Sequence, residues 1–380
     1  MIYNNIQFSE LGVEAQISIF PISNGVEESH VILNYVGNEI EFVSQANALD
    51  KALETLRRDN LGHSYNAVFK RYFLSDSANQ FSHLKISDEC AVSIVEQPPL
   101  NGSKIAIWIY FQQNVDVKRL DCGLYEVAHG SHRHYWLGSS TAPGIHSEVA
   151  TRLLLGDYDI NLNNLGCSLI DNCVRTWFFV QNVDVNYAGV VKGRNDVFVQ
   201  KGLTRNTHFI ASTGIGGRHP NHNITVEMDA YAVSNLADGQ MSYLYATDYL
   251  NPTYEYGVAF ERGTCVDYAD RRHIFISGTA SINNKGEVVH VGNIVKQTKR
   301  MWQNVEALLT EAQCNWDDVA HLIVYLRDIA DYKAVSEMFR NHFPHIPTVI
   351  VLAPVCRPGW LIEMECMAIK ANSNSQYAPL

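Results

Sequence analysis

The chain has 380 residues, of which 46% are apolar and 18% charged, so it can bury two or three cores without disulfide support. Forty acidic against 29 basic residues give a formal charge of −11, which argues against nucleic acid as a partner, because a phosphate backbone needs a basic surface. No run approaches the ~18 apolar residues of a membrane span, the start Met1-Ile2-Tyr3-Asn4-Asn5 lacks a signal-peptide pattern, and the eight cysteines form no CxxC pair, so a cytoplasmic protein with reduced thiols is expected.

In chain order, residues 67–111 read as a strand (AVFKRYFLSD) followed by two more (CAVSIVEQPPLNGSKIAIWIYF). The middle of the chain repeats the course as CVRTWFFVQNVD, HFIASTGIGG and ITVEMDAYAV. The last third is clearest. A strand over 272–281 ends at a Ser-Gly turn, and a helix follows with Ile294, Met301, Val305 and Leu308 at helical spacing. A strand over 321–326, a short helix over 331–342 and strands over 348–355 and 361–368 complete the unit. Three copies at about 120-residue spacing define tandem α+β repeats. Their expected bounds are 1–118, 119–250 and 251–372, with 373–380 as a disordered tail.

The last unit resembles the Rid/YjgF superfamily, also called endoribonuclease L-PSP. The resemblance rests on the ISG turn, NKGEVVHVGNIVKQT…NVEALL, VYLRDIADY and LIEMECMA. Members of that superfamily are usually trimers with sites in the clefts between subunits. The resemblance therefore implies YjgF-like (chorismate-mutase-like) repeats folded as a single-chain pseudo-trimer, either monomeric or in a low-order homo-oligomer.

Aligning the closing strands separates the repeats. The third has Glu363, the second Glu227, and the first Ala106. A carboxylate on an apolar strand is costly if buried unpaired, and a desolvated Glu is a candidate general acid near neutrality. Glu363 is read as that acid, and Glu227 as a strand-end carboxylate reaching solvent or an Arg. The first repeat reads as scaffold. Deaminating members of the superfamily carry an Arg shortly after a proline to hold the substrate carboxylate. Here that stretch is Pro347-Thr348-Val349-Ile350, without an Arg, and neither Val nor Thr replaces a bidentate clamp.

From about Tyr125 onward the chain is similar to the chorismatases, which remove pyruvate from chorismate. The similarity is carried by Arg175-Thr176-Trp177, Tyr187, Arg194, Gln240…Tyr245, Tyr256-Gly257…Phe260-Glu261-Arg262, SGTASI with Gly278, His290…Gln297 and Cys356-Arg357…Glu363. It implies that Glu363 is the catalytic acid and that Cys356, seven residues earlier, helps to select a hydroxybenzoate product. A dicarboxylate with an enol ether needs cations for its carboxylates, and Arg175, Arg194, Lys201, Arg205 and Arg357 are the candidates. Tyr187, Gln240, Tyr245 and Gly278 complete the substrate-binding set. The pattern ends its middle segment with Gly-Arg, whereas this chain has Lys201-Gly202, which leaves the substrate open to a related dicarboxylate. The alternatives are a Rid-type imine/enamine deaminase and a non-catalytic metabolite-binding protein.

The triplet His129, His132 and His134 has metal-like spacing but no acidic or Cys partner, and HGSHRHYWLG reads as a polar edge or turn. Gly214, Gly216 and Gly217 lack the following helix of a dinucleotide site. Neither a metal nor a cofactor is expected.

Overall fold

The computed structural model describes residues 1–23, 25–142 and 146–380. The first repeat comprises β1 (Ile2–Phe8), β2 (Val13–Phe20), β3 (Glu28–Tyr35), α1 (Phe42–Leu56), β4 (Tyr65–Leu74), α2 (Ser77–Gln80), β5 (Ala91–Glu96) and β6 (Ile105–Gln113). The second holds β7 (Asp116–Arg119), β8 (Tyr125–His129), β9 (His132–Thr141), α3 (Ser147–Asn164), α4 (Leu169–Asn172), β10 (Cys173–Val180), α5 (Val183–Gln200), β11 (Ala211–Gly216) and β12 (Val226–Val233). The third has β13 (Met241–Leu244), β14 (Gly263–Asp267), β15 (Arg271–Ala280), α6 (Ile294–Glu311), β16 (Val319–Leu326), α7 (Tyr332–His342), β17 (Thr348–Leu352) and β18 (Ile362–Ala371). The expected strand over 348–355 stops at Leu352, just ahead of Pro354, which has no N–H for a ladder.

Each repeat forms one six-stranded mixed sheet, and the three share a single order: β1-β2-β3-β6-β4-β5, β11-β10-β12-β9-β8-β7 and β13-β14-β15-β18-β16-β17. In each, the pair before the closing strand is parallel (β4 with β5, β10 with β11, β16 with β17) and the other pairings are antiparallel. The closing strands have equivalent registers, since Ala106 lies opposite Phe73, Glu227 opposite Phe179, and Glu363 opposite Tyr325. The chain is thus an α+β array of three tandem YjgF-like repeats in one polypeptide.

The repeats close cyclically: β5 meets β9, β11 meets β15, and β17 meets β3. Their inner faces share one core, to which Phe69, Trp108, Trp136, Trp177 and Phe275 contribute. At its centre lies a buried ion network drawn from all three repeats. Arg71 pairs with Asp229 at 2.8 Å and lies 3.6 Å from Glu365, and Arg175 pairs with Glu365 at 2.8 Å. Trp177 Nε1 donates to Glu365 at 2.8 Å, and the Arg71 guanidinium lies 4.9–5.5 Å from the rings of Phe69, Trp108, Trp177 and Phe179.

Two expectations change, and one helix was not legible in the sequence. Helix α5 lacks an amphipathic period because Gly189 and Gly193 interrupt it. A Cβ there would lie 2.2 Å from Ser147 Oγ and 2.5 Å from Glu148 O respectively, so both glycines serve the close crossing of α5 over α3. His132 and His134 are not a polar edge but buried in β9, with Nδ1 of His132 at 3.1 Å from Ser234 O and Nδ1 of His134 at 2.7 Å from Tyr231 Oη. Residues 373–380, expected to be disordered, pack onto the third repeat, where Leu380 is buried and its N–H donates to Asp270 at 3.1 Å. Among the described residues, no helix is long and apolar enough to cross a membrane.

Removing one partner of a buried ion pair leaves the other uncompensated. Arg71→Met is therefore expected to destabilise the whole chain by on the order of 3–5 kcal/mol. Urea unfolding followed by tryptophan fluorescence should show a single transition at lower denaturant, although the substitution lies in the first repeat.

Candidate active site

The second and third repeats meet in a narrow cleft with Glu363 at its base. Glu363 is 5% exposed, and no protein group among the described residues hydrogen-bonds to its carboxyl or pairs with it. Burial first, and the Glu365 charge two residues along the same strand face second, push its pKa up to about 8, against a smaller downward pull from Arg175 and Arg262. Gly278 on β15 makes room for this carboxyl, because a Cβ there would lie 2.1 Å from Glu363 Oε1.

The cleft walls carry guanidiniums without acidic partners. Arg194, on α5, is 1% exposed, and its Nε and Nη2 have no hydrogen-bond partner among the described residues. Arg262 donates from Nη2 to Asn251 O at 3.0 Å, and its buried Nε is unpartnered. Arg357 stacks between Tyr256 (4.7 Å) and Trp360 (5.1 Å). A buried, unpaired cation is costly, so this arrangement asks for an anion.

The loop bearing Arg357 is fixed from both sides. Gln297 donates to Gly359 O at 2.9 Å and accepts from Leu361 N at 2.9 Å, and Trp360 Nε1 donates to Ser281 O at 3.1 Å. Arg327 donates to Val355 O at 2.6 Å and pairs at 2.7 Å with Asp184 in the first turn of α5, which locks the loop to the second repeat. Tyr187 lies one face and two turns from Arg194 on α5, its ring fitting where a Cβ on Gly214 would intrude to 2.7 Å. Burial first, and the nearby Glu363 charge second, push the Cys356 thiol up to about 12, so it is neutral and forms wall.

Of the candidates, Glu363, Tyr187, Arg194, Gly278, Cys356 and Arg357 line this one cleft. The other candidates do not. Arg175 is spent on Glu365 in the central network, because the alternation of β10 points it to the molecular axis. Lys201, at the end of α5, pairs with Asp159 at 2.7 Å, outside the cleft. Gln240 is buried near His132, its Nε2 3.3 Å from His132 Nε2. Arg205 and Tyr245 line a separate depression on the far side of Arg262. Arg262, Tyr256 and Trp360 also line the cleft, although they were not among the candidate site residues. The run Tyr256-Gly257…Arg262 was visible in the sequence, but nothing in it marked the loop as a cleft wall.

Glu227, expected at a strand end reaching solvent or an Arg, is 1% exposed. Its carboxyl accepts from Ser139 Oγ, and that oxygen also accepts from Ile94 N at 2.8 Å. A Cβ on Gly138 would lie 2.4 Å from Val92 O, so the seam between β5 and β9 leaves no room for a ligand. Burial, then the charge of Asp229, raises the Glu227 pKa well above the usual range.

Comparison with known proteins shows the family and the fold. The family model for endoribonuclease L-PSP matches residues 264–370. A RutC family protein of Pyrococcus abyssi is 37% identical over 100 residues, which cover 26% of this chain and 78% of that protein. The 3-aminoacrylate deaminase RutC of Acinetobacter baylyi is 29% identical over 97 residues, or 25% of this chain and 77% of that protein. Among solved structures, a chorismatase superposes with a TM-score of 0.64 over 82% of this chain and 95% of its own, at 18% identity, which establishes a shared fold. The chain belongs to the endoribonuclease L-PSP family, the Rid/YjgF superfamily, and its overall architecture is that of the chorismatase.

Gly278→Ala is expected to cost roughly 1–3 kcal/mol through overpacking against the Glu363 carboxyl. In a Glu363→Ala background the same substitution should cost clearly less, and thermal unfolding of the four proteins of this cycle measures the difference.

Proposed function

We propose that the cleft between the second and third repeats is the active site of a chorismatase-like enzyme that removes pyruvate from chorismate or a related enol-ether dicarboxylate. The observation that carries this reading is a buried carboxyl without an ion-pair partner, its pKa pushed up to about 8, at the base of a cleft lined by three guanidiniums and, among the described residues, no other acid. Arg194, with two unsatisfied N–H groups, takes one substrate carboxylate, and Arg262 and Arg357 take the other. Tyr256 and Trp360 flank the ring face, and Tyr187 orients the substrate.

Glu363 donates its proton to the terminal methylene of the enol ether. The methylene becomes a methyl group and the ether carbon an oxocarbenium ion. Water adds to that carbon, the hemiketal collapses, and the bond between the carbon and the ring oxygen breaks. The carbon leaves as the ketone of pyruvate, and the ring oxygen takes a proton. The carboxylate of Glu363 is reprotonated from solvent. Loss of one water from the diol left on the ring then gives a hydroxybenzoate, the product outcome that the resemblance associates with a Cys at the position of Cys356.

A deaminase reading has one observation in its favour, the 29% identity of the third repeat to a 3-aminoacrylate deaminase. The strand facing Glu363 in this cleft carries Ser212 and Gly214, however, and not an Arg.

Incubation with chorismate should release pyruvate, and Glu363→Gln should abolish it while the protein stays folded. Because the acid form is the active one, the rate should fall as pH rises through about 8. Stability follows the same group: its raised pKa favours the fold below the unfolded value and loses that contribution as pH rises through about 8, so Glu363→Gln should be at least as stable as wild type at alkaline pH. Arg194→Met should raise KM by at least ~10-fold. Ammonia from 2-aminoacrylate, with no pyruvate from chorismate, would favour the deaminase. Tight dicarboxylate binding without turnover would mark a binding protein.

A further inference from the structure

The pseudo-threefold array holds one more open cleft, between the third and first repeats, where α7 and β17 face β2 and β3 across about 390 Å3. Sheet register makes it comparable with the active-site cleft residue by residue. Phe179 and Tyr325, opposite the two glutamates, pair with Ile215 and Val351, so Ser212 and Gly214 correspond to Thr348 and Ile350. Ala280 lies opposite Glu363 and Asn34 opposite Ala106. Ile276 bridges Cys366 and Gly263 as Val31 bridges Ile109 and Ile17, which places Gln16 where Arg262 stands. The bridges Ile215–Val355 and Pro99–Val351 place Asn101 where Arg357 stands.

The acid and two of the cations of the active site are thus replaced by Ala106, Gln16 and Asn101. Most of the polar groups here are already committed. Glu14 accepts amide N–H groups from Asn5, Gln7 and Gln16 at 2.8, 2.9 and 3.1 Å. Gln16 Oε1 accepts from Thr348 N at 2.8 Å, and Asn101 Nδ2 donates to Tyr35 O at 3.0 Å. Asn34 is different: it is 8% exposed and its amide makes no hydrogen bond among the described residues. Glu14 and the exposed Arg340 are the charged residues of its lining, and Phe339, Phe343 and Ile350 supply an apolar wall.

We propose that this third cleft is a second ligand site, which binds without turnover a small uncharged aromatic or cyclic molecule bearing a carboxamide or hydroxyl group. The ring lies on Phe339, Phe343 and Ile350, and the polar group satisfies the Asn34 amide. A charged ligand is disfavoured because the cleft offers no unpaired buried cation to offset its desolvation. This site stands apart from the reading of the Glu363 cleft and does not depend on it.

Titration of the full chain, isoleucine-methyl labelled, with benzamide and with benzoate tests the proposal. Benzamide should saturably shift the Ile346 and Ile350 methyls and leave Ile282, in the active-site cleft, in place. Benzoate, with the same ring, should bind at least ~10-fold more weakly. Asn34→Leu should weaken benzamide by ~5-fold or more, with the remaining methyl signals unmoved as proof of folding, and Arg194→Met should have no effect. Absence of a saturable shift at Ile346 and Ile350, benzoate binding as tight as benzamide, or loss of binding in Arg194→Met would each overturn it.

Discussion

The charges buried where the three sheets meet govern the rest of the molecule. Asp229 and Glu365 occupy the same register position on two closing strands, and Trp108 fills it on the third. Two carboxylates placed that close to an axis cannot remain ionised without cations. Arg71 from the first repeat and Arg175 from the second supply them, boxed by aromatic rings. The first repeat, which places Trp108 and not an acid at this position, is therefore an electrostatic component of the others. The same network holds Glu365 as a fixed negative charge beside Glu363, where it adds to burial in keeping that carboxyl protonated.

One fold gives three different clefts because each junction changes only a few positions. At β5 and β9, the absence of a side chain at Gly138 and the hydroxyl of Ser139 draw the strands together and seal Glu227. At β11 and β15, Gly214 and Gly278 remove side chains so that Tyr187 and Glu363 can occupy the space, and unpaired guanidiniums surround it. At β17 and β3 the space stays open, with Ala106 in place of the acid and the amides of Gln16 and Asn101 in place of two guanidiniums. A homotrimer cannot diverge in this way, since one substitution alters all three of its clefts together.

The repeat order, the third-repeat elements and the acid on β18 were legible in the sequence, because strands buried on both faces read as apolar runs and a carboxylate within one stands out. Arg194 and Tyr187 were recognised by resemblance, and the helix that aligns them was hidden by Gly189 and Gly193. Arg175 and Lys201 look as available as Arg194 in sequence. What separates them is tertiary: one faces Glu365, one faces Asp159, and one lines the cleft. Arg262 is invisible as a site residue until the loop carrying Tyr256 folds over the cleft.

The protonation state of Glu363 is the most direct measure of whether this cleft is built for acid catalysis. Side-chain carboxyl carbons of glutamate, labelled with 13C and assigned through Glu363→Gln, can be titrated by NMR in the unliganded protein. A midpoint near 8 is the result the structure predicts. A midpoint in the ordinary carboxylate range, near 4, would mean that Glu363 is ionised at neutral pH and cannot be the acid.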